Sequence, residues 1–343
     1  MKMRTTLVSE RHSIMKQVCD RMHHNEKGGV ALILVVWIVV VLIAIVGEFS
    51  YSMRTELNIT RNFKEEEEAY QLALAGIEQA KMEILSVPEL YYVFMDENET
   101  LIFGDPELTE EVIEETDRKG ELGKGSFSYT ITDEDGKMNI NIATSSQIKQ
   151  IFLDSGVDLE DVDEIVDSII DWRDENDLHM LNGAEEDYYQ SLDNPYSCKD
   201  GPFDLIEELL LVRGMSKEIL FGSKGEEGEE TAYDGIAQYF TVRNTDRINI
   251  NTASNVVLEA IYGSEAANNI LMRRDEGPIT RPINTDAVSS VYFTIISTGA
   301  SSNDKNNESD NKTDVKIKRS VKAVLEKKGG TINTLYWNDN FTG

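Results

Sequence analysis

The stretch VALILVVWIVVVLIAIVG, Val30 to Gly47, holds 18 residues without a charge. As a helix it spans about 27 Å, close to the thickness of a hydrocarbon core, and it satisfies its own backbone in lipid. The flank before it carries Lys2, Arg4, Arg11, Lys16, Arg21 and Lys27 against Glu10, Asp20 and Glu26. That basic excess predicts a cytoplasmic N-terminus, with the rest of the chain across the membrane. No small-residue cleavage site of the A-x-A kind follows the apolar run, which argues against a secretory signal peptide. Past the run, Tyr70, Ala73, Ile77, Ala80 and Ile84 step by three and four, an amphipathic stripe, and Pro88 supplies a stop. The spacing predicts one helix from Val30 to about Val87, roughly 87 Å long. Its first half belongs in lipid and its second half against a globular domain.

Gly28-Gly29 abuts Val30, so a basic leader ends in glycine directly before the apolar run. This plan resembles the type IV pilin superfamily. The resemblance implies cleavage by prepilin peptidase between Gly29 and Val30 and methylation of the new amine on Val30. Most members carry Glu as the fifth mature residue, where its carboxylate neutralises the amine of a neighbouring subunit. Here that place is Leu34. An uncompensated charge in an apolar filament core is costly, so the chain lacks the usual means of docking beneath another subunit. Within the superfamily this departure marks the minor pseudopilin K of type II secretion.

The 343 residues leave room for two or three domains. Sixty-three acidic residues against 33 basic ones give a net charge of −30; without residues 1–29 the balance is 60 against 27, or −33. Such a surface argues against broad contact with nucleic-acid phosphates and points to cations or basic partners.

Two segments align across 110 positions: FSYTITDEDGKMNINIATSSQIKQIF, Phe127 to Phe152, and QYFTVRNTDRININTASNVVLEAIY, Gln238 to Tyr262. In each, an alternating run reads as a strand, N-I-N follows (Asn139 to Asn141, Asn249 to Asn251), and Ala143-Thr144 or Ala253-Ser254 opens a helix. Each continues into a second helix, so the pattern resembles a duplicated helix-hairpin-helix, as in competence DNA receptors. Phosphate grip by such hairpins uses Gly-rich turns supported by Lys or Arg. Here DSGVDLEDVDE, Asp154 to Glu164, is densely acidic, and IYGSEA, Ile261 to Ala266, offers one Gly and a Glu. Repulsion wins, and N-I-N is read as a device that fixes a strand-to-helix corner.

IIDWRDENDLHMLNGAEEDYYQ, Ile169 to Gln190, and NPYSCKDGPFDLIEELLLVRGM, Asn194 to Met215, resemble the pseudopilin K pattern W-x-D, G-A-E-x-x-Y-Y, P-Y and E-L-x-x-V-x-G-M. The matching residues are Trp172, Asp174, Gly183, Ala184, Glu185, Tyr188, Tyr189, Pro195, Tyr196, Glu208, Leu209, Val212, Gly214 and Met215. Where the family has a further Asp two residues after the W-x-D aspartate, this chain has Asn176, with Asp177 next.

Asp171, Asp174, Asn176, Asp177, Glu185, Glu186 and Asp187 fall within 17 positions. Hard oxygen donors without His or Cys favour Ca²⁺ over Zn²⁺; the alternative is a solvated acidic surface. The family resemblance implies calcium in this region, with Asp174, Asp177, Glu185 and Asp187 as candidate ligands and Asp171 and Asn176 in reserve. His12, His23 and His24 precede Val30, and His179 has no candidate nucleophile near it. No G-x-S-x-G, P-loop or dinucleotide fingerprint is present, so the sequence predicts no enzyme. Cys19 lies in the leader, so cleavage leaves Cys198 alone, either buried or a free thiol, and no intrachain disulfide.

These readings combine into an α+β chain. Residues 1–29 are the leader and 30–87 the transmembrane and pilin helix. Residues 88–136 and 285–343 form a pilin-like core with a small antiparallel sheet. An inserted helical domain occupies 137–232, and a second strand and helix-hairpin-helix-like repeat occupies 233–284. VYFTIIST and VKIKRSVKAVLEK read as strands, with Trp337 closing the C-terminal edge, while GSKGEEGEE (Gly222 to Glu230) and SSNDKNNESDNKTD (Ser301 to Asp314) read as mobile boundaries. The resemblance implies a single-pass inner-membrane protein with its globular part in the periplasm. It would sit at the pseudopilus tip with minor pseudopilins I and J and other pseudopilins. The alternatives are a membrane-anchored DNA binder and a minor pilin of a type IV pilus.

Overall fold

A computed structural model describes residues 3–86, 92–95, 100–104, 118–223, 233–243, 247–282, 286–301 and 317–342. Pro88 and most of both low-complexity stretches lie outside these residues. The chain divides into two units, Met1–Glu65 and Glu66–Gly343. In the first, helix α1 (Met3–Ser86) begins, and its side chains from Val30 to Val46 are exposed. The helix is long and apolar enough to cross a membrane.

In the second unit the rest of α1 buries Leu72, Ala73, Ile77, Ala80 and Ile84. Ala73, Ile77, Ala80 and Ile84, three and four residues apart, share one face with Leu72 beside them, and that face packs on a sheet. Strands β1 (Val93–Met95) and β2 (Leu101–Phe103) form an antiparallel pair. The main sheet comprises β3 (Lys119–Leu122), β4 (Gly125–Asp133), β7 (Tyr292–Ala300), β8 (Lys318–Lys328) and β9 (Thr331–Asn338), in that spatial order and antiparallel throughout. Trp337 lies on the edge strand β9. Strict alternation along β4 turns Phe127, Tyr129 and Ile131 inward, where they meet Phe293, Ile295, Val321 and Ala323 beneath the helix. The helix backbone comes close to the sheet at Gly299, where an added Cβ would lie 2.0 Å from the Ala69 carbonyl oxygen. Buried Lys327 donates to the Ile84 carbonyl at 2.8 Å, placing a cation at the helix C-terminus, where the dipole favours it.

Between the adjacent strands β4 and β7 the chain makes a second body. It comprises β5 (Met138–Asn139), α2 (Ser145–Asp154), α3 (Leu159–Arg173), α4 (Glu186–Gln190), α5 (Lys217–Phe221), β6 (Phe240–Thr241), α6 (Asn255–Tyr262) and α7 (Ser264–Asp275). One apolar core, from Met138 to Val288, joins both repeats. Among the described residues, the alternating run expected from Gln238 is a strand at Phe240–Thr241, entered through a tight 3-10 turn at Ile236–Gln238. That short strand pairs in parallel with β5.

The two N-I-N motifs build the same corner twice. Asn139 and Asn249 each accept the backbone N–H two residues on, at 2.9 and 3.0 Å. Asn141 then clamps Phe203 through both backbone groups (2.7 and 3.0 Å), and Asn251 clamps Ile279 in the same way (both 2.9 Å). Thr144 and Ser254 cap α2 and α6. Arg173 and Arg274, at the ends of α3 and α7, turn inward to carbonyls of the corners, those of Ile140 and Ala143 in the first and of Ala253 in the second. Arg173 and Arg274, which could support a phosphate grip, are spent on the backbone, which favours the structural reading of N-I-N.

The inserted body joins the sheet through a neck of acids. Asp133 accepts from Ser290 (2.6 Å), Thr252 (2.5 Å) and Asn249 (3.0 Å), while Asp135 accepts the N–H groups of Val291 (2.6 Å) and Tyr292 (2.9 Å). Burial raises Asp133, and burial followed by the Asp133 charge pushes Asp135 up to about 7. Glu134, although burial acts upward, is held below its usual range by Lys137 and by the hydroxyls of Thr241 and Thr294. For Asp135, the folded chain binds more protons than the unfolded one between about pH 4 and pH 7, so this contribution to stability falls as pH rises through that window. The expected result is a melting temperature that drops between pH 5 and pH 7.5. Asp135→Asn should flatten part of that drop; an unchanged slope counts against the neck as its source.

Candidate metal centre

The site grows from the end of α3. Trp172 packs edge-on against Tyr189, with ring centroids 5.1 Å apart, and Tyr196 joins the same aromatic cluster. This stack fixes the C-terminal turn of α3 against α4 and places Asp171 wholly inside. Both Asp171 oxygens face the Met180 N–H, at 3.0 and 3.2 Å. Gly183 leaves the room this carboxylate needs, since a Cβ there would sit 1.9 Å from its Oδ2. The glycine of the G-A-E motif is thereby explained.

Glu185 occupies the N-cap position of α4 and is only 2% exposed, yet neither carboxylate oxygen has a hydrogen-bond partner. Burial, then the charges of Asp171, Asp174 and Asp200, push it up to about 7. Cys198 lies opposite, its backbone N–H donating to Glu186 at 2.7 Å. Asp200 follows with a positive φ of 49°, and its Oδ1 is buried without a partner. One ligand atom each from Glu185, Cys198 and Asp200 lies within 4.8 Å of the others. Burial pushes the Cys198 thiol up to about 12, with Asp200 and Glu185 adding to the shift. A buried, unpaired carboxylate among further carboxylates is costly without a counter-ion, and a bound cation reverses that cost. The residues fit a metal ion.

Of the ligands expected from sequence, the structure brings Glu185 and the reserve Asp171 into this buried pocket, with Asp174 close enough to act on both. It does not bring in the others. Asp177 is exposed. Asn176 turns its oxygen to the Leu178 N–H at 3.0 Å, and Asp174 accepts from Asn176 in an Asx turn at 3.0 Å. Asp187 is exposed, paired with His179 at 3.1 Å and with the Tyr188 N–H at 2.8 Å. Sequence reasoning missed Cys198 and Asp200 as partners of Glu185. The signal available was C-K-D, one residue behind the P-Y motif, whose Tyr196 belongs to the aromatic cluster.

Residues 130–221 match the family described as type II secretion system (T2SS), protein K. The matched stretch begins within β4 and takes in the first Asn corner and the residues of the metal pocket. A curated relative, the "Putative type II secretion system protein K" of Escherichia coli (strain K12), is 24% identical over 243 residues, 66% of each chain. The match therefore takes in just under two thirds of that relative. A solved chain from the GspK–GspI–GspJ complex of enterotoxigenic Escherichia coli is 18% identical, with a TM-score of 0.53 over 82% of this chain and 99% of that one. That likeness supports the α+β fold.

Proposed function

We propose that the chain is a minor pseudopilin that works by assembly rather than chemistry, at the tip of a type II secretion pseudopilus with pseudopilins I and J. The observation that carries this reading is the helical body between β4 and β7, which holds most of the residues matched to protein K, on a sheet packed against the amphipathic part of α1. Leu34, where most pilins carry Glu, supports a subunit with no neighbour above it. The solved relative was crystallised with its I and J partners, which motivates the test. Co-expression with I and J from the same source should yield a complex that co-purifies; separate elution of all three sinks the tip assignment.

The basic flank before Val30 supports a cytoplasmic N-terminus and a globular part in the periplasm. Prepilin peptidase would cut between Gly29 and Val30, and other pseudopilins would follow in the filament. As for the metal, calcium would be held by carboxylates of Asp171, Asp174, Glu185 and Asp200 and would supply charge neutralisation that locks α3 to α4. Calcium at about a hundred times its dissociation constant should add ~2.7 kcal/mol, a rise of several degrees in melting temperature over EDTA. An unchanged melting temperature counts against calcium here.

A further inference from the structure

The five-stranded sheet ends in two edges that differ in kind. At one, β3 is only four residues long and carries Lys119 and Glu121, the usual protections of an exposed edge. At the other, β9 runs for eight residues, TINTLYWN, with no charge and no proline. Which of its backbone groups face away from the sheet follows from two bonds on β8. Ser320 offers its carbonyl to Phe341, on the β9 side, whereas Lys327 sends its N–H to Val291, on the β7 side. Even-numbered residues of β8 therefore bond β9, and their partners Thr331, Asn333, Tyr336 and Asn338 face inward. Ile332 and Trp337 turn their N–H and C=O outward, where none of the described residues bonds them. Trp337 lies opposite Ala323 and so projects on the face that α1 covers; it and Leu335 are each 38% exposed.

Outward groups in this pattern are matched by the backbone of another extended chain, not by a helix. A second copy is disfavoured as that chain, because each copy carries a net charge of −30 and the two repel. We propose that β9 is a docking edge for an extended segment of a neighbouring pseudopilin, I or J, which adds to the sheet as a sixth strand. That segment carries no excess of acidic residues and sets an apolar side chain beside Trp337 and Leu335. The proposal rests on the tip reading for its choice of partner and goes beyond it in naming the surface and the mode of contact.

The test is amide hydrogen exchange on the full chain in detergent micelles, alone and co-expressed with I and J. In the complex the amides of Ile332 and Trp337 should exchange at least about tenfold more slowly than in the chain alone. Trp337→Lys puts a charge on the edge and removes its aromatic anchor, and should cut recovery of the complex about tenfold. Should that variant misfold, exchange in the native chain decides alone. Unchanged exchange at both amides, or undiminished recovery with a folded Trp337→Lys chain, overturns the proposal and leaves the tip reading standing. Failure of the complex to form rejects both. Slow exchange in the chain alone that strengthens with its concentration assigns the edge to a second copy and overturns the proposal as well.

Discussion

Replacing Gly299 by valine is expected to undock α1 from the sheet and to cost about 3 kcal/mol or more, a fall of roughly 6 to 12 °C in melting temperature. Valine ordinarily suits a strand, so intrinsic preference predicts no loss. The contact decides otherwise. A Cβ at this position meets the Ala69 carbonyl oxygen at 2.0 Å, the Ala73 nitrogen at 2.5 Å and the Leu72 Cβ at 2.8 Å. Two of these are helix backbone, which no rotamer change can move. Gly76 is the counterpart on the helix, where a Cβ would meet the Ser297 Oγ at 2.2 Å. Because that neighbour is a side chain, Gly76→Ala should cost less. Equal losses at both sites, or a silent Gly299→Val, would show that the backbone approach does not limit packing.

The second large effect is expected at Asn249. Its amide donates to the Val93 carbonyl (2.9 Å), Asp133 (3.0 Å) and Ser290 (2.8 Å), while its oxygen accepts from Asn251 (3.0 Å). Asn249→Leu removes all four bonds without opening a cavity. It leaves a carbonyl, a carboxylate and an N–H short of partners in a wholly buried place. At about 1 to 3 kcal/mol for a stranded group, the loss should reach roughly 4 kcal/mol. A double-mutant cycle with Asp133→Asn, read by urea unfolding, should give a coupling above about 1 kcal/mol. Additivity of the two losses would place the role of Asn249 in its own corner rather than in the neck.

The helix was legible because its signals are local. The apolar run from Val30 and the stripe through Ala73, Ile77, Ala80 and Ile84 depend only on spacing. The Asn corners were legible for a related reason, since each begins with a bond reaching two residues along. What could not be read was the other end of each clamp: nothing at Asn141 points to Phe203, 62 positions away. The metal pocket shows the same limit. The acidic run from Asp171 to Asp187 drew attention by density, but density does not distinguish Asp187, turned to solvent, from Glu185, turned inward. Glu185 is selected by its fold, through the Trp172 and Tyr189 stack and the space at Gly183. Cys198 and Asp200 reach it only through the return of the chain after Pro195.

The neck also bears on how the chain folds. Asp135 and Val291 bond across 156 positions, and closing so long a loop in a disordered chain carries a large entropic penalty and slows the search for strand pairing. The apolar core between Met138 and Val288 draws every one of its buried members from inside that loop. Once that core condenses, Asp133 and Phe293 are the two ends of an ordered body instead of a coil, and β4 meets β7 at little further entropic cost. The inserted domain would then act as an internal template for the sheet. A lesion in the helical core should therefore delay strand assembly in a region it never touches.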